Sequence, residues 1–387
     1  MTIELLRLTD FRNFRNAEIR PGPGVNLITG PNGSGKTSLI EAIGFLSNGR
    51  SFRTPLVQRV VSYGSESLTV YAELRGAGDD LKRIGISRGK NTDTEIRING
   101  ENVRRLAELS RELPLQILNP ESMSLLGDGG PELRRSFIDW GCFFSDDSFF
   151  VNWARFRNVL RQRNAALRTA GSYQSVAYWD RELVRYSEAV SAVRESYCSA
   201  IRDDLMRYLG EFLPDFTFSV DYCRGWDRES DLAGLLERNF QRDREAGYTM
   251  SGAQRADLRI KADGIPARDI LSRGQLKLAV CAMKLSQGIH LEKSSGRPCT
   301  FLIDDFSSEL DSARRRLLSE KLSGVRGQIF VTAVDGSGDE FSGIAGGAMK
   351  RFQIRDGRIE ETGETGSRPD RVLSNEAPDA NADVPAG

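Results

Sequence analysis

Gly30-Pro31-Asn32-Gly33-Ser34-Gly35-Lys36-Thr37 fits the pattern GxxxxGK[ST]. Glycines at these positions let the backbone turn so that successive N–H groups face a phosphate, and a helix opening behind them adds its positive end. Lys36 then reaches the β- and γ-phosphates of a nucleotide, and the Thr37 hydroxyl is placed to ligate Mg2+. The complementary half should be a buried strand that ends in carboxylates, and Thr300 to Asp305 (TFLIDD) supplies it. Asp304 would hold Mg2+ through its water shell, and Asp305 would orient an attacking water. Two adjacent acids at the end of an apolar strand carry a desolvation cost that a bound metal offsets. The chemistry these residues point to is phosphoryl transfer to water. His290 is the single histidine in 387 residues, which argues against Ser-His-Asp and Cys-His mechanisms and multi-histidine metal sites.

These groups need elements to place them. Val25 to Thr29 (VNLIT) is a short apolar run before the glycine loop, and Ser38 to Leu46 follows with helical spacing, so strand, loop and helix are expected in that order. Between Ser67 and Asn99, LTVYAEL and EIRINGE are separated by glycine-rich clusters and read as an antiparallel meander. LPLQIL (113–118) reads as another buried strand. From Trp179 to Phe212 apolar residues recur at steps of three and four, the period of one long helix. Val151 to Arg168 carries a second stripe, and Gly171-Ser172 turns the two into a helical hairpin. Leu271-Ser272-Arg273-Gly274-Gln275 precedes another helix, LKLAVCAMKL, which puts a hydroxyl and amides at a helix N-terminus. The expected fold is α/β, a mixed sheet with flanking helices and an antiparallel meander plus an inserted helical lobe. Its units are 1–122 and 251–361 for the two halves of the first lobe, 123–250 for the helical lobe, and a disordered, acidic tail at 362–387.

The composition, 39% hydrophobic and 28% charged, is that of a soluble chain. No apolar run approaches a membrane span. Five scattered cysteines, none in CxxC, read as reduced thiols of a cytoplasmic protein. Charge balances at 54 basic against 54 acidic residues, yet 45 of the basic residues are arginine, the residue suited to forked phosphate contacts.

With Walker A at 30–37, an LSGGQ-like signature at 271–275, Walker B at 300–305 and an SELD D-loop at 308–311, the sequence resembles ABC-type ATPase heads. The resemblance implies ATP and Mg2+ as cofactors and a head-to-tail homodimer. In that dimer Ser272, Arg273, Gly274 and Gln275 act in trans, with Ser308 and Asp311 beside them. Lys36 and Ser272 lie 236 residues apart, far beyond the spacing of a transporter ATPase subunit, while the long arm of an SMC-type chromosome-structuring ATPase is missing. LTDFRNF (8–14), RSFRT (50–54), PELRRSFIDWG (131–141), RADL (255–258), LSRGQLK (271–277) and DDFSSELD (304–311) are similar to the RecF family of bacterial recombination mediators. That similarity implies an ATP-dependent clamp on gapped DNA at single-strand/double-strand junctions. It also implies partnership with RecR and RecO, RecA loading, and roles in replication and the SOS response.

By the same resemblance Arg12 and Asn13 contact nucleotide phosphates. Gln116 stands near where a Q-loop magnesium ligand belongs and serves equally well as a mid-strand core amide, with Glu121 as its competitor. Asp305 replaces the longer Glu usual in such heads, and Thr332 stands where a switch histidine is usual, near the γ-phosphate, so a slow, DNA-dependent ATPase is expected. For DNA, Arg157, Arg161 and Arg168 share one helix face within about 40°, with Arg50 and Arg53 as further candidates. They serve equally well as a solvated face or as partners of Glu182 and Glu188.

Overall fold

Alternating apolar and polar residues build the first layer. In the computed structural model, which describes residues 1–76, 78–305, 312–334 and 349–365, β1 (Thr2–Phe11) and β2 (Phe14–Ile19) form a hairpin, and β3 (Val25–Thr29) leaves it for another sheet. β4 (Ser67–Arg75), β5 (Leu81–Gly89), β6 (Thr94–Ile98) and β7 (Glu101–Val103) extend the hairpin into a six-stranded antiparallel sheet, ordered β2-β1-β4-β5-β6-β7. Leu68, Val70, Ala72 and Leu74 of β4 are buried at the period of two that such a sheet requires. The expected meander is present. Its middle strand, LKRIGISRG, escapes a sequence reading because Gly85 and three cations interrupt its apolar alternation.

Four strands of the second sheet are near-continuous apolar runs, the pattern of parallel strands covered on both faces. β8 (Leu115–Leu118), β12 (Thr300–Ile303), β13 (Ile329–Ala333) and β14 (Met349–Arg355) join β3 in parallel, and β15 (Arg358–Thr365) closes one edge antiparallel, giving the order β15-β14-β3-β13-β12-β8. One face, including Ile28, Leu302 and Phe330, packs on α1 (Lys36–Asn48) and through it on the first sheet; α2 (Leu106–Glu112) adds Leu109 to the same core. The other face, including Leu27, Ile303 and Val331, belongs to a core that also holds Leu278, Ala282 and Leu285 of the helix after the signature. Gln328 bridges the layers, its amide exchanging hydrogen bonds with the Ile3 backbone N–H at 2.6 Å and C=O at 2.8 Å.

The second lobe is helical, with α3 (Gly130–Ser145), α4 (Phe149–Leu167) and α5 (Ala177–Phe212), followed by β9 (Phe218–Cys223), α6 (Leu232–Arg238) and α7 (Phe240–Ala246). α4 and α5 form the expected hairpin. The chain then runs through β10 (Asp257–Ala262), β11 (Ile265–Pro266) and α8 (Ala267–Ile270) into α9 (Arg273–Ser295), with α10 (Ser312–Leu322) after β12. β9 pairs antiparallel with β10, Val220 opposite Ile260, so a lobe boundary at residue 250 cuts through one sheet. We therefore propose that the second lobe extends to Pro266. Strand pairing also continues past residue 362, with Gly363 and Glu364 in register with Arg351 and Lys350. Residues 366–387, and the D-loop residues Ser308 and Asp311, lie outside the described residues. Among the described residues no helix is long and apolar enough to cross a membrane.

Candidate functional site

The glycine loop closes on itself between β3 and α1. Gly30, Gly33 and Gly35 all take positive φ, at +149°, +81° and +119°. At Gly35 a Cβ would stand 2.5 Å from Asn13 Nδ2, so only glycine fits there. The Asn13 amide donates to the Ser34 carbonyl at 2.9 Å and braces the loop. Lys36, 8% exposed, folds back along the loop and donates to the Gly30 and Pro31 carbonyls at 2.7 and 3.0 Å. Pro31 and Asn32 are the exposed crest.

Parallel pairing of β3, β13 and β12 carries the acid pair to the loop. Thr37 Oγ1 donates to Asp304 Oδ1 at 3.0 Å, and Thr332 Oγ1 donates to the same oxygen at 2.9 Å. The Thr332 oxygen in turn accepts the Asp305 N–H at 2.8 Å. Thr332 is 1% exposed and its hydroxyl is used in both directions, so it orders the acids from below. Burial pushes the Asp304 carboxyl above its ordinary value, against the two threonine hydrogen bonds that lower it. Asp305 is exposed and held at φ +46°, a left-handed conformation that costs a non-glycine residue about 1 kcal/mol and that the Thr332 bond helps fix. One hydroxyl and one carboxylate, both hard oxygens and desolvated, suit Mg2+, which takes its remaining ligands from phosphates and water.

Arg12 sits at the β1–β2 turn with φ +54°. Its Nε and Nη2 grip Glu41 at 2.9 and 2.6 Å, and its Nη1 donates to the Arg59 carbonyl at 2.5 Å. Glu41 is 0% exposed on α1, also accepts from Ser51, and lies 3.6 Å from Arg53. Arg12, Asn13, Asn32, Lys36, Thr37, Arg53, Tyr63, Asp305 and Thr332 line one cleft of about 720 Å3. Glu41, Arg59 and Tyr63 went unnoticed in the sequence. The only local signal was an acid inside the apolar run SLIEAIGFL.

The signature is built as a helix cap. Ser272 Oγ accepts the Gln275 N–H at 3.3 Å, and Gln275 Oε1 accepts the Ser272 N–H at 2.9 Å. Ser272 and Arg273 are exposed, Gly274 and Gln275 half-buried, and none of the four lines the cleft of its own subunit. Gln116 is a core amide, donating to Gln287 at 2.9 Å, while Gln287 donates to the Phe137 carbonyl and to Tyr197. Arg157, Arg161 and Arg168 are exposed along one side of α4 and share a groove with Trp153, over whose ring Arg157 lies at 4.8 Å. Arg161 donates to Asn158, and among the described residues none of the three arginines pairs with Glu182 or Glu188.

The family model described as RecF/RecN/SMC N terminal domain matches residues 2–341. A DNA replication and repair protein RecF from Edwardsiella ictaluri is 45% identical over 93% of this chain and 99% of its own length. The protein of that name from Yersinia pestis is 43% identical over the same share of each. Among solved structures, the recombination mediator protein RecF–ATP of the RecFOR pathway superposes with a TM-score of 0.82 at 27% identity, covering 94% of this chain and 98% of that one. An Smc head domain from Pyrococcus furiosus, 15% identical, shares the fold with a TM-score of 0.57 over 93% of this chain and 96% of that chain.

Proposed function

The chain belongs to the RecF family of DNA replication and repair proteins, and from that membership we propose that it is a slow ATPase that dimerises on ATP and closes on gapped DNA. The observation that carries the reading is the Thr37–Asp304–Thr332–Asp305 hydrogen-bonded chain at the mouth of the glycine loop. Thr37 and Asp304 would hold Mg2+, which when bound neutralises phosphate charge. Lys36 exchanges its loop carbonyls for phosphate oxygens, and the loop N–H groups bind the rest. Asp305 orients the attacking water on a side chain one methylene shorter than glutamate, and Thr332 has no spare proton to offer. Both features favour slow turnover, so ATP serves chiefly to gate the clamp. Arg12, pinned by Glu41, adds positive charge to the cleft wall. In the dimer the Ser272–Gln275 cap of one subunit covers the nucleotide of the other, with Ser308 and Asp311 beside it.

The exposed arginines 157, 161 and 168 of α4 give the clamp a DNA-facing surface. As in the family reading, the protein would act at single-strand/double-strand junctions with RecR and RecO, supporting RecA loading, replication restart and SOS induction in the cytoplasm. Fluorescence anisotropy of a labelled gapped duplex, titrated in ATP, in ADP and without nucleotide, tests this. Binding should require ATP and vanish in Lys36→Met. Equal affinity in every nucleotide state would sink the gating reading.

A further inference from the structure

A second cleft, of about 950 Å3, lies between α5, β9, β10, the loop after β9 and the loop before β10, and it shares no residue with the nucleotide site. β10 turns Leu258, Ile260 and Ala262 inward, which leaves Arg259 exposed and Lys261 half-buried on the opposite face. Two residues apart on one strand face, they stand about 6.6 Å from each other along the chain. Arg224 reaches the same cleft from the end of β9. It lies over Trp226 at 4.7 Å, donates Nη2 to the Asp227 carbonyl at 2.7 Å, and keeps its Nε buried without a hydrogen-bond partner. Arg255 completes the group, over Tyr248 at 5.7 Å.

Three of the four carboxylates that line the cleft belong to other cations, and the fourth, Asp227, accepts the Glu229 N–H at 2.7 Å. Asp257 is held by Arg134 of α3 at 2.7 and 3.1 Å, Glu195 faces Arg228 at 3.4 Å, and Asp221 lies 4.0 Å from Arg202. Among the described residues Arg224, Arg255, Arg259 and Lys261 therefore have no carboxylate partner. Four such cations in one concavity repel one another and attract a ligand that carries several negative charges. Arginine favours forked contacts with phosphate. Val220 and Leu258 are buried, and half-buried Trp226 lies under the Arg224 guanidinium, so charge dominates what the cleft offers a ligand.

We infer that this cleft binds the sugar–phosphate backbone of DNA, as a surface distinct from the α4 arginines. The inference rests on the DNA-clamp reading above and locates part of its DNA surface. The cleft floor is firm. Gly225, at φ +95°, packs so closely on the 252–256 loop that a Cβ there would stand 2.6 Å from the Ala256 nitrogen. β10 also leads through β11 and α8 directly into Ser272, so a ligand on Arg259 and Lys261 bears on the strand that feeds the signature.

The test uses the full chain with ATP and a labelled gapped duplex, comparing wild type with Arg259→Glu/Lys261→Glu across a salt series. Affinity should fall at least about tenfold, and the log–log salt slope should flatten by about 2, near 0.9 for each DNA phosphate that the variant no longer neutralises. DNA-free ATP hydrolysis should be unchanged. If circular dichroism shows that variant to be misfolded, Arg259→Gln/Lys261→Gln decides, with a smaller loss of the same sign. Unchanged affinity and slope would overturn the inference alone and make an acidic protein segment the better ligand. A wild type that binds DNA in no nucleotide state would overturn the clamp reading, and this inference with it.

Discussion

Asp304 is the residue on which the nucleotide site turns. Its carboxylate is 5% exposed and takes hydrogen bonds from Thr37 and Thr332 on one oxygen. A carboxyl whose folded pKa lies above the unfolded 3.8 holds its proton more tightly in the fold. Its ionisation therefore destabilises the protein as pH rises through the folded pKa, and the cost is absent below 3.8. Asp304→Asn should melt at or above the wild type at pH 7.5 without ligand, and that difference should disappear near pH 4. Magnesium and ATP together should raise the melting temperature of the wild type but not of the variant, whose turnover should fall by on the order of 100-fold. Scanning calorimetry and a phosphate-release assay check the four statements. The glycine loop and the acid pair were legible because each is a local pattern of residue types. Glu41 was not, because the Arg12 that explains it lies 29 positions away and meets it only through the fold.

At the scale of elements, α9 begins with a reciprocal cap whose hydroxyl accepts a backbone N–H, which leaves the Ser272 O–H proton free to donate outward. Ser272→Ala removes both uses. It should cost about 1 kcal/mol of stability as a lost N-cap and weaken ATP-dependent association, while nucleotide binding to the isolated subunit stays intact. Ser272→Thr should restore much of each, read by thermal melts and by binding of a fluorescent ATP analogue. The long helix and its hairpin were evident from a 3.6-residue period sustained over ten apolar positions. The lobe boundary was not, because β9 and β10 are short and separated by two helices, and only their pairing reveals one sheet. Arg163 was equally hidden. It is 0% exposed on α4, paired with Asp180 and Asp243 at 2.5 and 2.7 Å, and it ties the two arms of the hairpin to each other and to α7.

At the scale of the whole molecule, the cleft of one subunit holds the glycine loop and acids but lacks the signature, which in the proposed dimer a second copy would supply. Light scattering should find the 43.0 kDa chain as a monomer in ADP and a dimer in ATP. Asp305→Asn should prolong the dimer, and Lys36→Met should abolish it. The fold class was readable because strand, loop and helix occur in the order the chemistry needs. The first sheet's place across α1 was not, since apolar alternation gives a strand its face but never names the layer that covers it. α5 adds a mechanical property to this assembly. Its 36 residues, with no proline and one glycine near the end, make a rod about 54 Å long that packs along α9. A rod of that length works as a lever: a tilt of about 5° about one end would swing the far tip by roughly 5 Å. A rearrangement too small to disturb packing around the nucleotide would thus open or close the outer reach of the helical lobe by about the rise of one helical turn.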